Sequence, residues 1–497
     1  MSTSTESVDY TVTDEEVASY RSRGYNDDLL PKTPEKRNMG VKNYFTLWMG
    51  SVHNIPNYTA VGGFLFLGLA PVNVMFALVI SAALVAAFMI LNGEAGSKYG
   101  IPFAMHLRST YGNLGAKLPG FLRGCVAAIA WFGLQTYTGS LALTIILTKL
   151  WPGFQDIGGG AEILGITIPA FISFTLFWVL NLAIGLGGGG ILNKFTAVLS
   201  PLIYVVVIGM TAWAIWAAGG IGPILSYDAG VTGDVNPVFV FFMIFNSVLA
   251  VWAAPGASVA DFTQNAKDTR TQRVGQTLSL VVAYVVFAFC SVVILLGSSI
   301  HYGVQEWDLT QLIQRWDAIP AVIGASAVFL LTTISTNATG NIIPAGYQLA
   351  ALFPKKVNYK MGVVIASVIS FVIMPWKLME NSDSIYLFLN TIGAVLGPVA
   401  GVMIAHWFFV AKRKINLDAL YMDTDKKDAN NPYQGLNVPA YIATIAALVI
   451  SLSGQLIPAL APVSNVSWFV GFFAALVIYL AIRKLMPNQS AFTAEEA

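Results

Sequence analysis

The sequence predicts an all-α polytopic membrane protein of twelve transmembrane helices, ten of them in two five-helix units of opposite orientation, followed by two accessory helices. Three observations lead there. Hydrophobic residues make up 56% of the 497 and charged residues only 11%, far from the composition of a water-soluble domain. Apolar windows long enough to cross a bilayer recur along the whole chain. Among the windows with an internal proline are the first and the sixth, five crossings apart.

Taken in order, residues 1–43 are polar, of mixed charge and without an apolar core, so they read as a flexible cytoplasmic tail and not as a signal peptide. Apolar windows follow at 44–69, 72–92, 124–148, 166–184 and 195–218, then at 237–256, 275–299, 320–345, 361–376 and 385–410. A polar loop, 411–437, separates them from two last windows at 438–457 and 466–482, and 483–497 forms a second tail. Placing both termini in the cytoplasm puts 24 of the 27 Lys and Arg on that side and leaves only Lys149, Arg315 and Lys377 outside. The positive-inside bias therefore selects this orientation and an even number of spans. The expected location is a cytoplasmic (inner) membrane. Cys125 and Cys290 lie in or beside apolar windows with no metal-type spacing and read as small buried hydrophobes.

The prolines carry the first functional argument. "SVHNIPNY" places Pro56 in span 1 and "VWAAPGAS" places Pro255, followed by Gly256, in span 6. Each removes one intrahelical bond and frees the carbonyl four residues back, at Val52 and at Val251. Free backbone at membrane depth is tolerated only where it is buried in protein or lines a cavity. The breaks lie five crossings apart, so the second unit is inverted relative to the first. Interrupted helices at matching places in two halves point to a transporter's site. The repeats are then 44–218 and 237–410, with 438–482 holding the accessory helices.

Spans 3 and 8 correspond in such a repeat, and both are unusually polar. In "WFGLQTYTGS", Trp131 and Gln135 share a helix face. In "TTISTNATGN", helical spacing clusters Thr332, Ser335 and Thr339, with Thr336 at the edge, roughly opposite Asn337 and Asn341. Single hydroxyls of this kind commonly serve helix packing; two intramembrane asparagines have more hydrogen-bonding positions than packing requires. The centres of spans 1, 3, 6, 8 and 10 contain no Asp, Glu, Lys or Arg, and His53 is their one titratable residue. A site without countercharge suits a neutral ligand. Trp131 and Trp252, with amides from Gln135, Asn341 and Asn54, suit a flat ring edged by donors and acceptors. The hydroxyl stripe, with carbonyls of a broken helix, offers oxygen ligands for a cation such as Na+.

These stretches resemble a known family. "NYFTLWMGSVHNIPNY", "WFGLQTY", "DFTQNAK", "TTISTNATGNIIPAGYQ", "MPWKLMENSDSIYLFLN" and "LGPVAGVMIAHWF" are similar to the nucleobase:cation symporter-1 family, and within it to bacterial allantoin permeases. The resemblance runs from about Tyr25 to Lys484 and implies a leucine-transporter-type 5+5 inverted repeat that takes up hydantoins, nucleobases or related rings. It implies ring-stacking by Trp131 and Trp252 and hydrogen bonding by Gln135 and Asn341. It also implies a sodium site from the carbonyls of Gly50, His53 and Thr332 with the side chains of Ser335 and Thr336. Leu389 falls where the family places a residue that closes over substrate. Gly50, His53 and Thr332 depart from the residues of a hydantoin transporter of the family, and His53 adds an imidazole that leaves Na+ and H+ both open as coupling ions. The other reading of His53 is a neutral, pore-lining or packing histidine, and His53 is counted with Asn54 among the residues expected to touch the ring.

The expected activity is import of allantoin or a close ring with a cation, by alternating access. No cofactor, nucleic acid or obligate protein partner is expected, and membrane lipid surrounds the chain. Rival cargoes are purine or pyrimidine bases and vitamins of the thiamine or pyridoxine type, and a rival class is a passive channel. An enzyme would need a nucleophile with its base, or paired carboxylates, and these spans hold neither. "GLGGGG" at 185–190 follows an apolar helix and not a strand, against a dinucleotide loop.

Overall fold

The computed structural model describes residues 10–486 except 188, 231–235, 306–307, 354–355, 380–381 and 423–430, and the backbone alone of 189–200 and 382–383. The last eleven residues of the 483–497 tail and part of the 411–437 loop thus lie outside the described residues. Nine helices among those described are long and apolar enough to cross a membrane. Two shorter apolar helices and the split span 1 complete the twelve. In chain order the spans are 1 (Val41–Val52 and Ile55–Phe64), 2 (Pro71–Tyr99), 3 (Lys117–Leu150), 4 (Ile168–Gly187), 5 (Gly189–Ala217) and 6 (Pro237–Ala257, continued by Ala260–Thr263). After them come 7 (Thr269–Tyr302), 8 (Ile319–Leu352), 9 (Tyr359–Val372), 10 (Ser384–Val410), 11 (Val438–Leu456) and 12 (Ser467–Leu485).

The packing follows the repeat. Span 2 lies on span 7, span 3 on span 8, and span 6 on spans 2 and 10, while span 12 packs along span 10. Close approach needs missing side chains: a Cβ on Gly96 of span 2 would collide with Thr263 and Ala260 after the span 6 break, and one on Gly256 would collide with the Phe88 ring. Small residues let membrane helices meet at such distances. Large apolar side chains such as Phe76, Val205, Phe289, Val449 and Val477 are exposed on the outer surface, where lipid replaces water as solvent. Between spans 3 and 4 a two-stranded antiparallel hairpin pairs Glu162 with Thr167 and Ile163 with Ile166. Leu164 takes a positive φ at its turn, held by the Trp376 indole donating to its carbonyl at 3.0 Å.

The N-terminal segment is folded from residue 10 onward, unlike the flexible tail its composition suggests. Thr13 and Glu16 form a reciprocal capping box that starts the helix Asp14–Ser22. Tyr20 stacks on Tyr421 with centroids 4.6 Å apart. Further on, the Lys32 amide donates to Gly100 O, Arg37 Nη1 donates to Ser97 O, and Met39 exchanges backbone bonds with Asn265 and Lys267. Under this cap the Glu94 carboxylate, 2% exposed, is paired with Arg273 at 2.7 Å and with Arg413. Ordering comes from partners at the end of span 2, in the connection between spans 6 and 7 and in the 411–437 loop, which no local pattern reveals.

Candidate functional site

Span 1 breaks at His53 and Asn54, whose φ/ψ of −88/69 and −122/159 leave the helix. Pro56 therefore does not kink a continuous helix. It occupies the first turn of the second half, where its missing N–H costs nothing. The Val52 carbonyl, freed as expected, is taken by Asn57 Nδ2 at 2.8 Å. Asn54 caps the second half by accepting from the Asn57 amide at 3.1 Å and donates to Ser51 O at 2.7 Å. Two asparagine side chains thus replace the lost helical bonds. In span 6, Pro255 sits in the last turn, and the break comes at Ser258 and Val259. There Asn92 Nδ2 donates to the Gly256 and Ala257 carbonyls at 2.7 and 2.8 Å.

The breaks flank a small cavity of ≈ 40 Å³. Span 1 contributes Trp48, Ser51, Asn54 and Asn57; span 3, Trp131 and Gln135; span 6, Val251, Trp252 and Pro255, with Phe262 beyond the break; and span 8, Thr336, Thr339, Gly340 and Asn341. No acidic, basic or histidine side chain is among them. The Trp252 indole donates to the Tyr284 hydroxyl at 2.5 Å, and Trp48 meets its ring edge-on at 5.4 Å. Trp131 packs edge-on against Phe388 at 4.9 Å, and its indole N–H is buried without a hydrogen-bond partner among the described residues. The Gln135 Oε1 is likewise buried and unpartnered.

A chain of amides sets the polarity of the span 8 wall. Asn181 Nδ2 donates to the Phe177 carbonyl at 2.9 Å, so its Oδ1 accepts from Asn337 Nδ2 at 3.2 Å. The same Asn337 nitrogen lies 3.1 Å from Thr136 Oγ1 and 3.3 Å from the Phe132 carbonyl. Because backbone carbonyls only accept, these amides have one consistent assignment. Asn337 Oδ1 then accepts from Asn341 Nδ2 at 2.9 Å, and Asn341 lines the cavity.

Here the helical spacing misleads. Span 8 contains a π-turn at Ala338–Ile342, whose extra residue per turn rotates Asn341 onto the face of Thr336 and Thr339. Asn337 points instead toward spans 3 and 4.

Of the residues expected to touch a ring, Trp131, Gln135, Trp252, Asn341 and Asn54 line one cavity. The His53 imidazole does not. Its residue lies outside the helix, and the ring is buried against Tyr204 and Phe287 with Nδ1 3.0 Å from Tyr58 Oη. Leu389 is buried in the core and does not line the cavity; its neighbour Phe388 reaches Trp131. Trp48, Asn57 and Phe262 were not singled out by sequence, because only the packing of span 1 against spans 6 and 8 turns them inward.

Of the residues expected around a cation, Gly50 and His53 end the first half of span 1, which packs on the part of the chain holding Thr332, Ser335 and Thr336. Thr336 Oγ1 donates to Thr332 O at 3.0 Å and Thr332 Oγ1 to Phe329 O at 3.0 Å. A hydroxyl that donates backward in this way keeps its lone pairs for a cation. Among the described residues no cluster of three or more His, Cys, Asp or Glu could hold a metal. Hydroxyls and carbonyls are what the span 1–span 8 junction offers, a donor set for a hard monovalent ion.

Comparison with known proteins agrees with this architecture. The chain is 54% identical to a putative allantoin permease of Escherichia coli (strain K12), over 94% of this chain and 96% of that one. It is 37% identical to an allantoin permease of Bacillus subtilis (strain 168), covering 94% of each. A solved nucleobase-cation-symport-1 family transporter, in a closed conformation with bromovinylhydantoin bound, superposes with a TM-score of 0.77 at 22% identity, covering 95% of this chain and 98% of that one. That likeness establishes the leucine-transporter-type fold. The family profile described as "Permease for cytosine/purines, uracil, thiamine, allantoin" matches residues 31–471, and the chain belongs to this family of membrane permeases.

Proposed function

We propose that this permease imports allantoin, or a close hydantoin-like ring, across the cytoplasmic membrane together with a cation, by alternating access, with both termini in the cytoplasm. The observation that carries the reading is the uncharged cavity between two broken helices, where two tryptophans flank amides of fixed polarity. In this reading Trp131 and Trp252 stack on the ring. Asn341 Oδ1 accepts a ring N–H, and the unpartnered Trp131 N–H and Gln135 amide meet the remaining edge. A ring alternating N–H and C=O satisfies these groups, and an unmatched buried polar group would cost about 1–3 kcal/mol. Phe388 and Leu389 of span 10 cover the site from the outer side.

The cation is assigned to the carbonyls of Gly50, His53 and Thr332 and the hydroxyls of Ser335 and Thr336, with Na+ as the ion. A neutral ring gains nothing from the membrane potential. One co-moved positive charge adds roughly 2.3 kcal/mol per 100 mV, on the order of fifty-fold accumulation at about 1.4 kcal/mol per decade. His53 has its imidazole in a dry aromatic pocket and contributes here through its backbone.

The test is a binding titration of purified protein with allantoin, hydantoins, uracil, cytosine and purines, each with and without Na+ between pH 5 and 8. Tight binding of allantoin or hydantoins that strengthens with Na+ supports the assignment. Preference for a purine or pyrimidine would move the substrate to the nucleobase class, and a pH-dependent, Na+-insensitive response would make the ion a proton.

A further inference from the structure

One guanidinium beside the cavity touches both of its walls. Arg123 lies in the π-turn Leu122–Ala127 at the start of span 3 and is 0% exposed. Its Nε donates to Ala254 O at 2.7 Å and to Ser258 Oγ at 3.1 Å, both at the break of span 6. Its Nη2 donates to Gly340 O at 2.8 Å, in the π-turn of span 8. Gly340 lines the cavity, as do Pro255 and Asn341, the residues that follow the two carbonyl acceptors. One side chain of span 3 therefore joins the two irregular segments that shape the site.

The chemistry explains why an arginine stands there. The π-turn of span 8 leaves carbonyls short of helical partners, whereas the Ala254 carbonyl also accepts from the Ser258 amide and hydroxyl, each at 3.3 Å; at membrane depth no solvent supplements either. A planar fork with five donors can reach acceptors on two helices at once, which the compact ammonium of a lysine cannot do in the same geometry. A buried cation is costly in a membrane, and the Asp261 carboxylate, whose charge acts on Arg123, offsets part of that cost.

We infer that Arg123 is a latch of the transport cycle: it holds span 6 against spans 3 and 8 while the cavity is closed toward the face bearing the N-terminal segment, and lets go of span 6 when that face opens. The inference rests on the carrier reading above. In carriers built from inverted repeats, one group of helices rocks against the other around a fixed site. Spans 3 and 8 pack together, so the Gly340 bond lies within one group. The bonds to Ala254 and Ser258 cross to the broken span 6 and are the ones that separation must break. Nη1 of Arg123 is buried with no hydrogen-bond partner among the described residues, so the closed arrangement leaves donors that opening can hydrate. Arg123 is thus a positioning residue and does not touch the ring.

The experiment reads accessibility without substrate. Thr339→Cys, on the cavity wall, is introduced into protein carrying Cys125→Ala and Cys290→Ala and reconstituted with known sidedness. A membrane-impermeant thiol reagent is then added from one face at a time. Arg123→Gln should raise labelling from the N-terminal face at least fivefold and lower it from the opposite face, and Arg123→Lys should give a smaller rise. An unchanged rate in Arg123→Gln protein of normal thermal stability overturns the latch. If Arg123→Gln does not fold, Ser258→Ala removes one acceptor and leaves the cation; a rise of about twofold is expected, and no rise overturns the latch. A wrong guess about the ring leaves this readout untouched, whereas a channel would label from both faces at once in the protein with Arg123 intact.

Discussion

Asn337 is not among the residues lining the cavity, yet its hydrogen bonds orient the amide that is. It accepts from Asn341 and donates toward Asn181, Thr136 and the Phe132 carbonyl, so removing it frees the Asn341 amide to turn over. Asn337→Ala should weaken ring binding about tenfold, the size of one net hydrogen bond, and Asn341→Ala should weaken it further. Isothermal titration checks both, and equal binding in Asn337→Ala would show that the relay does not set polarity. Tyr284→Phe tests the opposite wall. It strands the buried Trp252 N–H and should lower affinity several-fold while shifting tryptophan emission. The identities of Trp131, Gln135, Trp252 and Asn341 were legible as polar or aromatic groups in apolar windows. The relay was not, because Asn181 lies 156 residues from Asn337.

At the scale of an element, the two proline breaks were visible in sequence, but their mechanics were not. A proline predicts a freed carbonyl; the side chain that answers it comes from the fold. Asn57→Ala should leave the Val52 carbonyl without its side-chain partner and cost roughly 1–3 kcal/mol, seen as a lower Tm. Pro56→Ala should change Tm little, since position two of a helix tolerates either residue. A larger loss in Pro56→Ala than in Asn57→Ala would mean that proline rigidity, and not the asparagine cap, holds the break. The π-turn of span 8 marks the limit of pattern reading: a fixed 100° per residue separates Asn341 from Thr336, and one inserted residue reunites them.

Across the whole molecule, the N-terminal segment and the loops on its face form a cap that buries polar groups. His106, between spans 2 and 3, is 1% exposed with neither ring nitrogen hydrogen-bonded among the described residues, and burial pushes its pKa down to about 4. The unfolded chain takes up that proton near pH 6.5 and the folded one only near 4, so stability is full above pH 6.5 and declines as pH falls toward 4. His106→Gln should flatten this acid limb, as thermal unfolding across pH 4–7 in detergent would show; an unchanged limb assigns it to other groups. Glu94 carries the complementary charge argument. Arg273 and Arg413 are partly solvated while Glu94 is buried, so an arginine that loses its partner can turn to water and a lone carboxylate cannot. Arg413→Gln should therefore lower Tm more than its own exposure suggests, because it strips the buried carboxylate of one of two partners.

The membrane class, the twelve spans, the paired breaks and the uncharged aromatic-amide site follow from the sequence alone, because bilayer thickness, proline geometry and the cost of buried charge act on local residues. The tertiary structure alone decided that His53 faces an aromatic pocket and not the cavity. It also placed Asn341 beside the hydroxyls, made Arg123 join spans 3, 6 and 8, and folded the N-terminal segment onto the rest. Each of these depends on which distant helix supplies the partner, and hydrogen bonds between helices leave no periodicity in the chain that makes them.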